Sequence, residues 1–173
     1  SEWFKSARFE HVKSPTEFVA GVLKLSGEYS EPAPDLHKLE PTVIAMGQKL
    51  MDPPSVEGWH TGKEWIDRGS LLRRINFVAD RFGDMSNPGV RRIVDSIAKI
   101  ENLSPDKLVD SCVELVGPIR LEEKTRSELI EHIQGKNSDL KTPAKSSDAT
   151  AERNSTICEM LQLVASTREY QFC

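Results

Sequence analysis

Apolar positions along this chain recur at three- and four-residue intervals, and no sustained alternation of β-branched residues competes with them. In SPTEFVAGVLKLSG, the residues Phe18, Val19, Val22 and Leu25 mark one side of a helix. Ser14 stands at its N-cap, Pro15 at its first position and Glu17 three residues on, where a Ser–Glu pair satisfies two orphan backbone N–H groups reciprocally; Gly27 is the stop. YSEPAPD then reads as a proline-rich turn, and LHKLEPTVIAMGQKLM as a short turn followed by a helix from about Pro41, with Leu39, Val43, Met46 and Leu50 sharing a side. In LLRRINFVADRFG the expected cap is Ser70 and the stop Gly83. Its stripe is Leu71, Leu72, Ile75, Val78, Ala79 and Phe82.

The same grammar continues downstream. Asn87-Pro88 opens a helix carrying Val90, Ile93, Val94, Ile97 and Ala98, and Ser104-Pro105 opens one carrying Leu108, Val109, Cys112, Val113 and Val116 before Gly117-Pro118. Two further helices are expected, from about Leu121 to Gln134 and from about Ala151 to Ser166. The stretch between them, 135–150, is polar, contains Pro143 and is expected to be a mobile connector. The predicted fold is all-α, a helical bundle or array of about seven helices with a Pro/Gly/Trp-rich loop between two of them. Residues 1–83 and 84–173 form its two halves, expected to make one compact unit of a larger protein.

Composition narrows the partners. The net charge of −4 comes from interspersed acids and bases without a basic stripe, which argues against nucleic acid. Apolar runs fall far short of a membrane span. Cys112, Cys158 and Cys173 include no C-x-x-C pair, and His11, His37, His60 and His132 are scattered, so neither a metal site nor a cofactor is expected. Cys112 and Cys158 read as small apolar helix residues rather than a disulfide. The chain begins at Ser1 with no initiator Met or signal peptide, and a processed protein or a fragment is the expectation; the compartment cannot be read.

Three stretches in this order carry a resemblance: FKSARFEHVKSPTEFVAGVLKLSG, MGQKLMDPPSVEGWHTGKEWIDRGSLLRRINF and the ending EMLQLVASTREYQFC. The specific words are Lys13-Ser14-Pro15 with Glu17-Phe18, Gly47-Gln48 before Pro53-Pro54, Val56, Gly58-Trp59, Gly62, Trp65-Ile66, and Leu71-Leu72 with Arg74 and Asn76. Together they resemble the C-terminal portion of the bacterial domain of unknown function 1800 family. The resemblance implies a predominantly helical protein with no assigned catalytic residues. It also implies several hundred further residues on the N-terminal side. That N-terminal portion is the first expected partner; a sulfatase-like protein encoded beside family members is the second.

The loop PPSVEGWHTGKEWI supplies the candidate chemistry. As a plug, Trp59 and Trp65 bury large areas between the flanking helices, with Trp65 the stronger anchor and Trp59 at the loop tip. As a platform, the same indoles offer stacking faces to a glycan-like ligand, with Gln48 orienting polar groups. A third reading makes Glu57, His60 and Glu64 an acid–base set, although the family pattern commonly carries another residue at the position of His60. Arg73, Arg74 and Arg81 are expected opposite the apolar stripe, flanking Phe77, as a candidate interaction face. With no nucleophile elbow, metal set or phosphate loop, the pattern does not decide whether the chain is an enzyme. The expectation is a scaffold or interaction part of a larger protein. The alternative is one wall of a ligand or catalytic site completed by N-terminal regions.

Overall fold

The computed structural model describes residues 11–31, 33–59, 61–135 and 147–172. Among them are eight α-helices: α1 (Pro15–Ser26), α2 (Glu40–Ala45), α3 (Arg68–Phe82), α4 (Pro88–Ala98), α5 (Pro105–Val116), α6 (Glu123–Gly135), α7 (Ser147–Ser166) and α8 (Arg168–Gln171). Short 3-10 turns, Leu36–Leu39 and Gly62–Trp65, precede α2 and α3. The described residues contain no strand, only isolated bridges that include Val12 with Phe172. The all-α expectation holds. The central stretch of the expected connector, 136–146, lies outside the described residues, whereas Gly135 and Ser147–Thr150 belong to α6 and α7.

Helix α7 is the hub, packing against α3, α4, α5 and α6. Ile157, Met160, Leu161, Val164 and Ala165 are fully buried along it at the three- and four-residue spacing of one broad stripe, and buried Thr156 and Cys158 widen that stripe on either side. Helix α1 lies across α3 and α4, and Phe18 and Val22 enter the same core as Val78, Phe82, Val90 and Val94. Cys112 and Cys158 are buried free thiols. Burial raises the Cys112 thiol pKa well above its usual value, with Cys158 adding to the effect.

Local capping accounts for several boundaries. The Ser14 hydroxyl accepts from the Glu17 N–H and the Glu17 carboxylate from the Ser14 N–H at 2.7 Å, so α1 starts with the expected box. Helix α5 starts on Ser104 as expected. Helix α3 differs, starting three residues earlier than the Ser70 cap implies, on Asp67. Asp67 Oδ1 accepts from the Ser70 N–H at 2.7 Å and Ser70 Oγ from the Asp67 N–H at 2.9 Å; Ser70 is thus the second half of the box. The Ser70 hydroxyl also donates to the Trp65 carbonyl at 2.9 Å, joining the 3-10 turn to α3.

Helix α2 is shorter than its apolar spacing implies. It ends at Ala45 because Gly47 turns into the left-handed region at φ 101°, and the Gln48 N–H bonds back to the Val43 carbonyl at 3.1 Å. Leu50 consequently leaves the shared side and is exposed, while Leu39, Val43 and Met46 stay buried.

The crossing of α1 and α4 depends on two glycines. A Cβ on Gly89 would stand 2.1 Å from the Leu25 carbonyl oxygen, and one on Gly27 would stand 2.7 Å from the Gly89 nitrogen. Backbone atoms cannot give way as a flexible side chain can, so Gly89→Ala should cost about 3 kcal/mol and lower the melting temperature by roughly 6 to 12 °C. Gly135, with open space around its Cβ position, is the internal control. Gly135→Ala should leave thermal unfolding nearly unchanged, and equal effects of the two substitutions would contradict the crossing.

Candidate functional site

Between α2 and the second 3-10 turn, the proline-rich loop is held by its own contacts. The Trp59 indole N–H donates to the Lys49 carbonyl at 3.1 Å, and the Lys49 ammonium meets the Asp52 carboxylate at 2.6 Å. Ser55 and Gly58 form an isolated bridge across the tip. Met51 sits at φ 65° with its side chain 94% exposed, and Val56 is fully exposed. Trp65 is only 6% exposed, whereas Trp59 keeps part of its ring in solvent. Glu57 and Glu64 are exposed, and His60 lies outside the described residues.

Gln48 is buried and occupied. Its Oε1 accepts from the Thr16 backbone N–H at 3.0 Å and from the Thr16 hydroxyl at 2.8 Å, satisfying a donor that the first turn of α1 cannot pair internally. The turn at Gly47 aims it there.

Next to this contact lies the most consequential polar cluster of the molecule. Arg74 is fully buried. One guanidinium nitrogen donates to Gln171 Oε1 at 3.0 Å and another to the Lys13 carbonyl at 2.8 Å, while the guanidinium carbon stands 5.0 Å from the centre of the Phe18 ring. The Gln171 amide in turn donates to the Ala165 carbonyl at 3.3 Å. Lys13 donates its N–H to the Gln171 carbonyl at 3.0 Å and its ammonium to the Tyr170 carbonyl at 2.7 Å, with that ammonium 3.8 Å above the Tyr170 ring. Tyr170 completes the stack edge-to-face with Phe18 at 6.0 Å. Burial pushes the Arg74 guanidinium pKa down to about 10, which still leaves it charged at neutral pH.

Lys13, Phe18, Gln48, Arg74 and the last residues of the chain come from all three stretches that carried the family resemblance. The family model described as "Protein of unknown function (DUF1800)" matches residues 1–172. The chain belongs to the DUF1800 family. Neither a curated protein nor a solved structure matches it.

In this DUF1800 protein, Arg74 leaves the expected interaction face for the core, whereas Arg73 and Arg81 both stay beside Phe77. Arg73 is exposed and lines a groove of about 310 Å³ with Pro41, Thr42, Asn76, Phe77 and Asp80. Arg74 and Phe77 instead face the core. Arg81 lies 5.1 Å from the centre of the Phe77 ring and pairs with Glu28 at 3.4 Å. The buried side of α3 is therefore Ser70, Arg74, Phe77, Val78 and Phe82, rotated from the all-apolar stripe, and Leu72 is exposed. The rotation follows from what Arg74 finds inside, a carbonyl and an amide oxygen from the two ends of the described chain. No spacing rule for a single helix contains that information. Gln171 has no helical period to mark it, although the terminal word EYQFC was part of the resemblance.

Two stability predictions follow from these placements. Trp65→Ala should cost about 3 to 5 kcal/mol in urea unfolding and Trp59→Ala about 1 kcal/mol, since the first removes a buried indole and the second one hydrogen bond from a partly exposed ring. A Trp65→Ala variant of unchanged stability would refute the anchor. Arg74→Ala should cost about 3 kcal/mol, because it leaves Gln171 Oε1 and the Lys13 carbonyl without their donor inside the core. Arg73→Ala, one position away on the exposed side, should stay within about 0.5 kcal/mol of the parent.

Proposed function

We propose that this chain is a protein-interaction part of a larger polypeptide, with the proline-rich loop as its contact element and an N-terminal portion of the same polypeptide as its partner. The carrying observation is the display of apolar side chains on a braced loop. Leu50, Met51 and Val56 are exposed within seven consecutive residues, and Ile44 is exposed just before them. A lone exposed apolar residue is ordinary, but several gathered on one short segment favour a partner surface. The Trp59–Lys49 and Lys49–Asp52 contacts, with Pro53-Pro54, hold the loop in one shape. Docking a segment already ordered loses less entropy than docking a floppy one.

The groove along Arg73, Asn76 and Asp80 supports the same reading, since it adds polar groups of both signs beside α2. Such groups set register and exclude wrong partners more than they add affinity. The engagement of Gln48 and the burial of Trp65 weigh against a stacking platform, leaving only Trp59 with an accessible ring face.

The test is to express this chain and the upstream portion of its polypeptide as separate chains and measure their association by calorimetry. The expected result is a complex whose affinity falls about tenfold or more in a Met51→Asp, Val56→Asp double variant, with the melting temperature of this chain unchanged. Failure of the two parts to associate, or equal affinity of the double variant, would overturn the reading.

A further inference from the structure

Helix α3 has a second face, opposite the one that enters the core. Leu72, Arg73, Asn76 and Asp80 recur on it at helical spacing, and all four are exposed. Arg73, Asn76 and Asp80 line the groove of about 310 Å³ against Pro41, Thr42 and Ala45, and Leu72, 59% exposed, lies one turn before Asn76.

The charges on this face have no partner within their own helix. A helical residue is met by those three and four positions away, which are Gly69, Ser70, Asn76 and Phe77 for Arg73, and Asn76, Phe77, Gly83 and Asp84 for Asp80. None of these carries the opposite charge, and Asp84 repeats that of Asp80. Among the described residues neither the Arg73 nor the Asp80 side chain makes an ion pair or a hydrogen bond. Asp80 also stands in the last turn of α3, where the helix dipole disfavours an anion.

Seven residues separate Arg73 from Asp80, two helical turns or about 10.5 Å along nearly the same line of the helix. Turned end for end, that line is its own complement: an antiparallel second α3 sets each Arg73 against an Asp80 and each Asp80 against an Arg73. A twofold interface requires this property, because one patch must match itself. Asn76 falls beside the axis, and its amide holds both a donor and an acceptor with which to pair with its own copy. The basic half of the second helix comes to lie beside each Asp80, where it offsets the dipole.

We propose that a second copy of this chain docks here, with α3 antiparallel to α3 about a twofold axis between Asn76 and Phe77. The two Leu72 side chains supply apolar contact toward the ends of the seam. The proposal goes beyond the loop reading, in which the same polar groups assist a contact made at Met51 and Val56; no residue of 50–59 lines the groove.

The experiment is sedimentation equilibrium of the chain over a concentration series, with folding checked by thermal unfolding. The parent is expected to form a dimer. Arg73→Glu and Asp80→Lys should each weaken self-association about tenfold or more, since each sets like charges opposite one another, while leaving the melting temperature unchanged. An equimolar mixture of the two variants should recover the dimer, because every pair across the axis is then of opposite sign. Both variants keep a net negative charge, so overall attraction between them does not produce that recovery. The Met51→Asp, Val56→Asp double variant should self-associate as the parent does, which separates this contact from the one at the loop. A parent that stays monomeric up to about 0.5 mM, single variants that associate like the parent, a mixture that fails to recover, or loss of the dimer in the loop variant would overturn the proposal.

Discussion

A single buried guanidinium ties this fold together. Arg74 sits in the middle of α3, and its two bonded partners lie 61 and 97 residues away along the chain. Removing a charge from water is expensive, and the cost is offset only where fixed oxygens replace the lost hydration. Here both replacements come from the ends of the described chain, the Lys13 carbonyl and the Gln171 side chain. The segment before α1 and the segment after α7 must therefore lie side by side, as the Val12–Phe172 bridge and the Lys13–Gln171 bond record. Once they do, Lys13 rests on Tyr170, Tyr170 on Phe18, and Phe18 under Arg74, so a charged group and its aromatic neighbours close one end of the helical array.

The same constraint orders what lies around it. Because Gln171 is drawn inward, α8 is fixed beneath the end of α7, and Glu169 two residues earlier is placed to cap the backbone at the start of α6. At the other side of the cluster, Gln48 caps the first turn of α1 from beyond the Gly47 turn. Two helix starts are thus completed by side chains remote in sequence, 32 and 47 residues from the N–H groups they accept. Long-range capping makes these helices depend on one another. A helix whose orphan donors are met only by the tertiary structure gains that stability when the whole assembles and not before.

This dependence explains what could be read from the chain before its structure. The Ser14–Glu17 box, the Ser104 cap and the Gly27 stop are local, and spacing alone identifies them. Ser70 misled because two residues of one box were competing for the cap, and the hydroxyl that also reaches the Trp65 carbonyl belongs to its far side. Leu50 misled because apolar spacing continued past a glycine that had already ended the helix. Arg74 misled for a deeper reason: an arginine in a helix is assigned to solvent unless its remote acceptors are known. Of the candidate site, Trp65 as an anchor was legible from its position just before α3. The roles of Gln48 and Gln171 were not, since a lone amide carries no period.

A consequence for function follows from where the resemblance-bearing residues ended up. Lys13, Phe18, Gln48, Trp65 and Arg74 are engaged in caps, stacks and buried bonds, so the most specific words of the sequence are explained by holding the ends of the array and the loop in place. Residues used in this way do not need to touch a ligand to be distinctive. What such bracing leaves over is a held loop with Leu50, Met51 and Val56 exposed. The order of that loop rests on buried Trp65 and on the Trp59–Lys49 and Lys49–Asp52 contacts, whereas its exposed apolar side chains return no burial free energy to the isolated chain. Under the reading proposed above, it is these exposed side chains, and not the buried tryptophan, that a second surface would cover, because only they have burial free energy left to gain.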